Sequence, residues 1–374
     1  MHHDVYSYDS LGRLTHVHDG VSNQLRTEYG YDLNSNRVTK TENGVTTNST
    51  YDAQDRLTSS GVFQFTYNSA GEILTKTNTL TQETTQYSYD SFGNLLSVTL
   101  PNGTVISYEI DVLNRRVGRR VNGVLDVRYF YKDQHQIIAE INANGTLKRR
   151  FVYGSRMNIP DYYIENNVSY RLLSDQLGSP RVVINRTTGA TVAELRYDEF
   201  GREVQNSAPN LKLPMGFAGG LYDPDTKLVR FGARDYDPEV GRWLAKDPIL
   251  FSGGDPNLYG YVLQDPVNKI DPTGNVAQFG VAVGAGAAVG GIVGFVGGYA
   301  NASHCSRGGR LMAGLVAGAA GAVGGAVAGL TAVTGGTFLG AVGGYGFDFG
   351  ATVMGHHISY NCEPPPPPPT CEGK

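Results

Sequence analysis

At 374 residues the chain is long enough for two domains of ordinary size, and its 31 Lys and Arg against 35 Asp and Glu leave a formal net charge of −4. That balance supplies no global basic field, which argues against nucleic acid as a partner of the main body. The 3 cysteines, Cys305, Cys362 and Cys371, are too few for a disulfide framework and include no Cys-x-x-Cys pair of the kind zinc sites use.

Composition divides the chain. Of 23 tyrosines, 20 lie before residue 275. By contrast 25 of the 49 glycines lie after residue 274, where the only charges are Arg307, Arg310, Asp348, Glu363, Glu372 and Lys374. Residues Met1-His2-His3-Asp4 form no basic and apolar leader, so an export signal, if the protein is exported, is expected outside this chain.

The front of the chain repeats. Tyr8-Asp9-x-x-Gly12-Arg13-Leu14 recurs as Tyr31-Asp32 with Asn36-Arg37, as Tyr51-Asp52-x-x-Asp55-Arg56-Leu57, as Tyr67-Asn68-x-x-Gly71-Glu72-Ile73 and as Tyr89-Asp90-x-x-Gly93-Asn94-Leu95. It returns at Tyr197-Asp198-x-x-Gly201-Arg202, and Asp111 with Arg115 holds the register less faithfully. Each unit reads as strand, tight turn, strand. Aromatic and β-branched residues suit a half-buried pleat, Asp gives a turn its side-chain hydrogen bond, and Gly gives it a positive φ.

Leu96, Val98 and Leu100 alternate with polar residues ahead of Pro101-Asn102-Gly103. A three-residue loop there sets Leu100 opposite Thr104, Val98 opposite Ile106 and Leu96 opposite Tyr108, with the apolar side chains on one face. Asn43-Gly44, Asn122-Gly123 and Asn144-Gly145 are further hairpin signals. A lone hairpin is marginal in water, so these units are expected to stack into one continuous sheet.

These tyrosine–aspartate units resemble the YD repeats of RHS proteins, bacterial polymorphic toxins, which are shared with insecticidal toxin-complex C subunits and animal teneurins. Downstream, residues 171–274 resemble the RHS repeat-associated core domain. The matching stretches are Asp175-x-Leu177-Gly178-Ser179, Phe217-Ala218-Gly219-Gly220-x-Tyr222-Asp223, Arg234-x-Tyr236-Asp237-Pro238-x-x-Gly241-Arg242-Trp243, Asp247-Pro248-Ile249, Asn257-Leu258-Tyr259-x-Tyr261-Val262, Asp265-Pro266-Val267-Asn268 and Asp271-Pro272-x-Gly274. The resemblance implies a mainly β fold: repeats over 1–170 forming part of a spiral antiparallel shell, and a core domain over 171–274 acting as a plug. A variable toxin region follows over 275–361, then a Pro-rich tail over 362–374. A closed shell takes many more repeats, so the chain is expected to be the C-terminal piece of a longer protein or a displaced cassette.

Core domains of RHS relatives are often aspartyl autoproteases that cut just after the last Asp-Pro-x-Gly. By that resemblance the catalytic candidates are Asp247, Asp265 and Asp271, with Arg242 as electrostatic support and Gly274 and Asn275 flanking the cut. Two carboxylates sharing a site divide into a proton-bearing and an ionised partner, which supplies an acid and a base from identical residues. The alternative is that these Asp-Pro pairs only build turns. The chain departs from the family pattern where Asn275 replaces the usual Leu, and where Leu250-Phe251 replaces Gly-Leu.

Past residue 275 two uncharged runs, of 28 residues (276–303) and 37 residues (311–347), flank a short basic segment. Small residues recur every four positions at Gly286, Gly290, Gly294 and Gly298, at Gly321, Gly325 and Gly329, and at Gly336, Gly340 and Gly344. In water each Gly costs a helix about 1 kcal/mol against Ala, whereas in lipid such a stripe lets two helices approach closely. A membrane-inserting α-helical hairpin is expected, against compact packing inside the shell or a linker. His356, His357 and Cys362 lack an evident fourth ligand, so neither metal nor cofactor is expected. The six prolines from Pro364 to Pro369 favour a stiff spacer or docking tail.

Two functions compete. The first is a toxin carrier with a membrane-active effector, whose partners are a cognate immunity protein, an upstream shell or secretion module, and the target membrane. The second is a surface adhesion protein that binds glycans or another partner and uses its tail as an anchor. Either places the chain outside the cell or at its surface.

Overall fold

The computed structural model describes residues 4–279. The ten glycines from Gly286 to Gly344 named above, the expected helical hairpin and the Pro-rich tail lie outside the described residues.

Twenty strands, from Asp4–Tyr8 to Glu203–Asn206, form one antiparallel sheet in which each strand pairs with its neighbours in sequence. The sheet therefore includes residues 171–206 as well as the repeats before them. Its regularity is made locally. At the first unit Asp9 Oδ1 accepts the amides of Leu11 and Arg13 at 2.9 and 3.0 Å, Asp9 Oδ2 accepts Arg13 Nε at 2.7 Å, and Gly12 stands at φ +78°. The pairing slips by one residue between Ser7 and Tyr8, a bulge that re-aims the tyrosine. The same slip falls between Thr50 and Tyr51, between Thr66 and Tyr67, and between Arg196 and Tyr197.

Asp111 holds this register as faithfully as any other unit, contrary to the sequence reading. Its carboxylate accepts the amides of Leu113 and Arg115 and the Arg115 Nε, and Asn114 takes the left-handed position at φ +60°. The turn is made by the Asp and Arg side chains, so Ile110 in place of the tyrosine leaves it intact.

The tyrosines tie each unit to the one before. Tyr31, Tyr51, Tyr67 and Tyr131 donate their hydroxyls to the carbonyls of Leu14, Arg37, Leu57 and Arg116 at 2.7, 2.8, 3.0 and 2.8 Å. The arginine of the preceding unit lies over the ring in three cases, Arg13 on Tyr31 at 4.8 Å, Arg56 on Tyr67 at 5.4 Å and Arg115 on Tyr131 at 5.1 Å.

Pro101-Asn102-Gly103 closes as the expected three-residue loop, with Gly103 donating to Leu100 O at 2.9 Å and Val98 opposite Ile106. The alternation upstream of it differs from expectation. Leu95 is fully buried and Leu96 only half-buried, because the register shift between Leu95 and Ser97 changes the phase of the strand. Asn43-Gly44 and Asn122-Gly123 form two-residue turns with both residues at positive φ, whereas Asn144-Gly145 belongs to a longer loop in which Gly145 alone has it.

Beyond the sheet, residues 208–279 hold only short strands and single 3₁₀ turns, including a four-stranded sheet of Leu221–Tyr222, Val229–Phe231, Arg234–Asp237 and Arg242–Trp243. An aromatic cluster substitutes for extended structure. Tyr261 lies 4.4 Å from Tyr236, 5.4 Å from Trp243 and 6.0 Å from Phe231 between ring centroids. Such pairs contribute about 0.5–1.5 kcal/mol each beyond their burial. This plug is held by well-separated strands of the sheet: Ile73 N donates to Leu244 O at 3.0 Å, Tyr259 to Gly71 O at 2.7 Å, Arg116 to Asp235 at 2.8 Å, and Tyr236 to Phe200 O at 2.8 Å. The sheet thus curls around the plug and supplies its walls.

Candidate functional site

The end of the plug is a turn built on Asp271. Its Oδ1 accepts Thr273 Oγ1 at 3.0 Å and the amides of Asn275 and Val276 at 3.1 Å each. Gly274 stands at φ +71°, and a Cβ there would meet Phe231 O at 2.3 Å, so this position requires glycine.

Arg234, from the strand Arg234–Asp237, reaches into the turn. Its Nε donates to Gly274 O, and its Nη2 lies 2.9 Å from Asp247 Oδ2 and 3.4 Å from Asp271 Oδ2. Trp243 carries the guanidinium on its ring face at 4.2 Å. Asp247 also accepts the Ile249 amide at 2.9 Å, and Gly253 admits the chain against Asn275 O and Asp247, where a Cβ would stand at 2.7 and 3.0 Å. Arg234, Asp247 and Asp271 are all buried. They line a cavity of about 20 Å³ shared with Asp255 and Ala277, which is room for about one water.

Burial pushes the Asp247 carboxyl above its ordinary range, Arg234 and the Ile249 amide oppose the rise, and Asp271 adds to it. Burial likewise raises Asp255. Burial holds the Arg234 guanidinium below its usual value against the pull of Asp247 and Asp271.

Of the residues singled out in the sequence, Asp247, Asp271, Gly274 and Asn275 come together here. Asp265 does not line the cavity: its carboxylate holds Asn268 Nδ2 at 2.9 Å and faces Lys269 Nζ at 3.6 Å. Arg242 turns to the shell, donating to Asn36 Oδ1 at 2.9 Å and Asp55 O at 2.6 Å and lying 4.7 Å over Tyr51. The cation between the carboxylates is Arg234, which sequence reasoning did not select. It stands 37 residues before Asp271, and only its place at the head of the Arg234-x-Tyr236-Asp237 stretch marked it. Among the described residues no helix is long and apolar enough to cross a membrane.

The sequence model of a family described as Teneurin YD-shell matches residues 1–267. Teneurin-3 of Mus musculus is 30% identical over 277 residues, covering 71% of this chain and 10% of that protein. The tRNA3(Ser)-specific nuclease WapA of Bacillus spizizenii is 28% identical over 260 residues, covering 66% of this chain and 11% of that protein. Among solved structures, the crystal structure of TcdB2-TccC3-TEV aligns over 72% of this chain and 18% of that one, with 16% identity and a TM-score of 0.41. The chain thus spans about a tenth of the length of these curated relatives. With its repeating tyrosine–aspartate turns and a family match running from the first residue into the plug, the chain belongs to the Teneurin YD-shell family.

Proposed function

We propose that this chain is the carrier and processing end of a bacterial polymorphic toxin, which cuts its own backbone between Gly274 and Asn275 and so frees the glycine-rich effector that follows. One observation carries the reading: a single peptide bond is held from both sides, its carbonyl by Arg234 Nε and its amide nitrogen by Asp271 Oδ1. In the step, a water in the adjoining cavity attacks the Gly274 carbonyl carbon. The charge that develops on the oxygen falls on Arg234. Asp271 takes the water's proton and passes it to the Asn275 nitrogen, which leaves as an amine while Gly274 becomes a carboxylic acid. Asp247 is the proton-bearing partner of the pair, in keeping with its raised pKa.

The relative named as a tRNA-specific nuclease supports reading the shell as a carrier whose cargo lies beyond the repeats. The cargo of this chain is read as membrane-inserting from its uncharged glycine-spaced runs, and an immunity protein, an upstream shell or secretion module and the target membrane are its partners. The match to Teneurin-3 favours the second reading, a surface adhesion protein that keeps its tail attached.

Intact-mass measurement of the purified full chain over time separates the two. Two fragments meeting at 274/275, abolished in Asp271→Asn, support processing. A chain that stays whole at neutral and mildly acidic pH removes processing from the account. Leakage of dye from anionic vesicles on adding the cleaved material tests the effector separately.

A further inference from the structure

A second cavity, of about 60 Å³, lies between shell and plug, with Gly232 and Pro272 in its wall. Its wall includes Arg115, Arg116 and His135 from the shell and Arg230 from the plug, and no Asp or Glu is among its lining residues. The two inner guanidiniums share a single carboxylate: Arg116 Nη2 and Arg230 Nη1 each lie 2.8 Å from Asp235. The neighbouring Asp223 is committed to Arg119 at 2.9 Å, and Arg115 to Asp111 at 2.8 Å.

Arg230 Nη2 also donates to Asn94 Oδ1 at 2.7 Å and Asn114 O at 3.0 Å, and Arg116 lies 3.4 Å over the Tyr108 ring, yet the two buried cations have only the one carboxylate in direct contact. The remaining donors fall on the same two side chains, for Arg116 Nε and Arg230 Nε are both buried and neither has a hydrogen-bond partner. Buried N–H groups ordinarily find an acceptor, and those of a guanidinium present a planar fork suited to a small anion. Ile137, Met215, Leu221 and Phe231 make much of the remaining wall apolar, beside Asn114, Gln134 and Asn158, and a partly apolar surround strengthens charge pairing inside.

We propose that this cavity binds a small monovalent anion, a halide or a short carboxylate, clamped between Arg116 of the shell and Arg230 of the plug. The bound anion completes the charge balance around Asp235 and so fastens plug to shell. Its volume of about 60 Å³ suits an ion as small as chloride, bromide or acetate.

The test uses the full chain in sodium gluconate, a bulky organic anion, with bromide or acetate replacing gluconate at constant ionic strength. The expected result is a saturable rise in melting temperature with at least one of the two, and the one that saturates identifies the class as halide or carboxylate. Truncating Arg230 risks the fold, so the variant is made at the exposed mouth. His135→Glu is expected to weaken the apparent affinity about tenfold by like-charge repulsion, while His135→Gln leaves it close to wild type. Anomalous scattering from crystals in bromide then locates the ion. A melting temperature that climbs without saturation for both anions, or a His135→Glu response equal to wild type, overturns the proposal, as does, where bromide is the anion that saturates, a bromide map with no peak between Arg116 and Arg230.

Discussion

The sheet and the plug are stabilised over very different distances along the chain. In the sheet, Asp9 finds Arg13 and Asp52 finds Arg56, four residues away, and each tyrosine reaches back about one unit, as Tyr31 does to Leu14 across 17 residues. In the plug, Arg234 joins Gly274 across 40 residues and Arg242 joins Asn36 across 206. A structure assembled from local closures tolerates the loss of one unit, whereas one assembled from distant buried charges does not.

The sharpest way to break that comparison is at the peptide the plug presents. Asp271→Asn keeps the shape of the side chain while removing the group proposed to take and deliver the proton. Self-cleavage is expected to fall by at least about 100-fold, read by intact mass on chain that is still folded at the assay temperature, because Arg234 loses one of its two buried carboxylates and stability falls as well. Cleavage in wild type is also expected to depend on pH in one direction. Asp247 has a raised pKa, so its carboxyl is neutral below that value and loses its proton above it. Both the reaction and the small stabilisation from the neutral form decline as pH rises through the raised value. A rate that instead increases across that interval contradicts the assignment of Asp247 as proton-bearing partner.

Next in size is Asp235→Asn, which strands the guanidiniums of Arg116 and Arg230 in the interior. Breaking a buried ion pair from one side costs about 3–5 kcal/mol, and denaturant unfolding measures it. The contrast in the sheet is Asp52→Ala, where the partially exposed Arg56 returns to water and the lost turn contacts cost about 1–2 kcal/mol. If the two variants prove equally destabilising, the distinction between distant and local closure fails.

The same distinction explains what was legible beforehand. Turns closed by residues four apart leave a periodic imprint, so the strand, turn, strand units and the Pro101-Asn102-Gly103 loop were readable. The phase of Leu95 was not, because a bulge is a property of the pairing and not of one strand's alternation. Asp247, Asp271 and the Gly274–Asn275 bond came from motif resemblance, yet the cation between the acids was assigned to Arg242. Both arginines stand in one short stretch of sequence. They separate only in the fold, where the strand Arg234–Asp237 faces the last turn and Arg242 faces the repeats. The two units that diverge most in sequence keep the turn for different reasons: Asn68 Oδ1 accepts the amides of Gly71 and Glu72 at 3.0 Å each in place of an Asp carboxylate, and the Asp111 unit lacks the tyrosine, which the turn does not use.

The smallest effect gives the finest test. Tyr67→Phe removes a hydroxyl that bridges to Leu57 O at 3.0 Å and is expected to cost about 0.5–1.5 kcal/mol. Tyr89 occupies the same place in the next unit, but its hydroxyl is buried with no hydrogen-bond partner. The carbonyl it would reach by analogy belongs to Ile73, the residue whose amide the plug takes through Leu244 O. The tyrosine ladder thus lacks its rung at Tyr89, beside a residue that the plug engages. Because a buried hydroxyl without a partner carries its desolvation cost uncompensated, Tyr89→Phe is expected to leave stability unchanged or raise it by up to about 1 kcal/mol. Urea unfolding of the two variants side by side checks this. Equal losses would mean that the ladder runs unbroken and that plug and repeats are stabilised independently at Ile73.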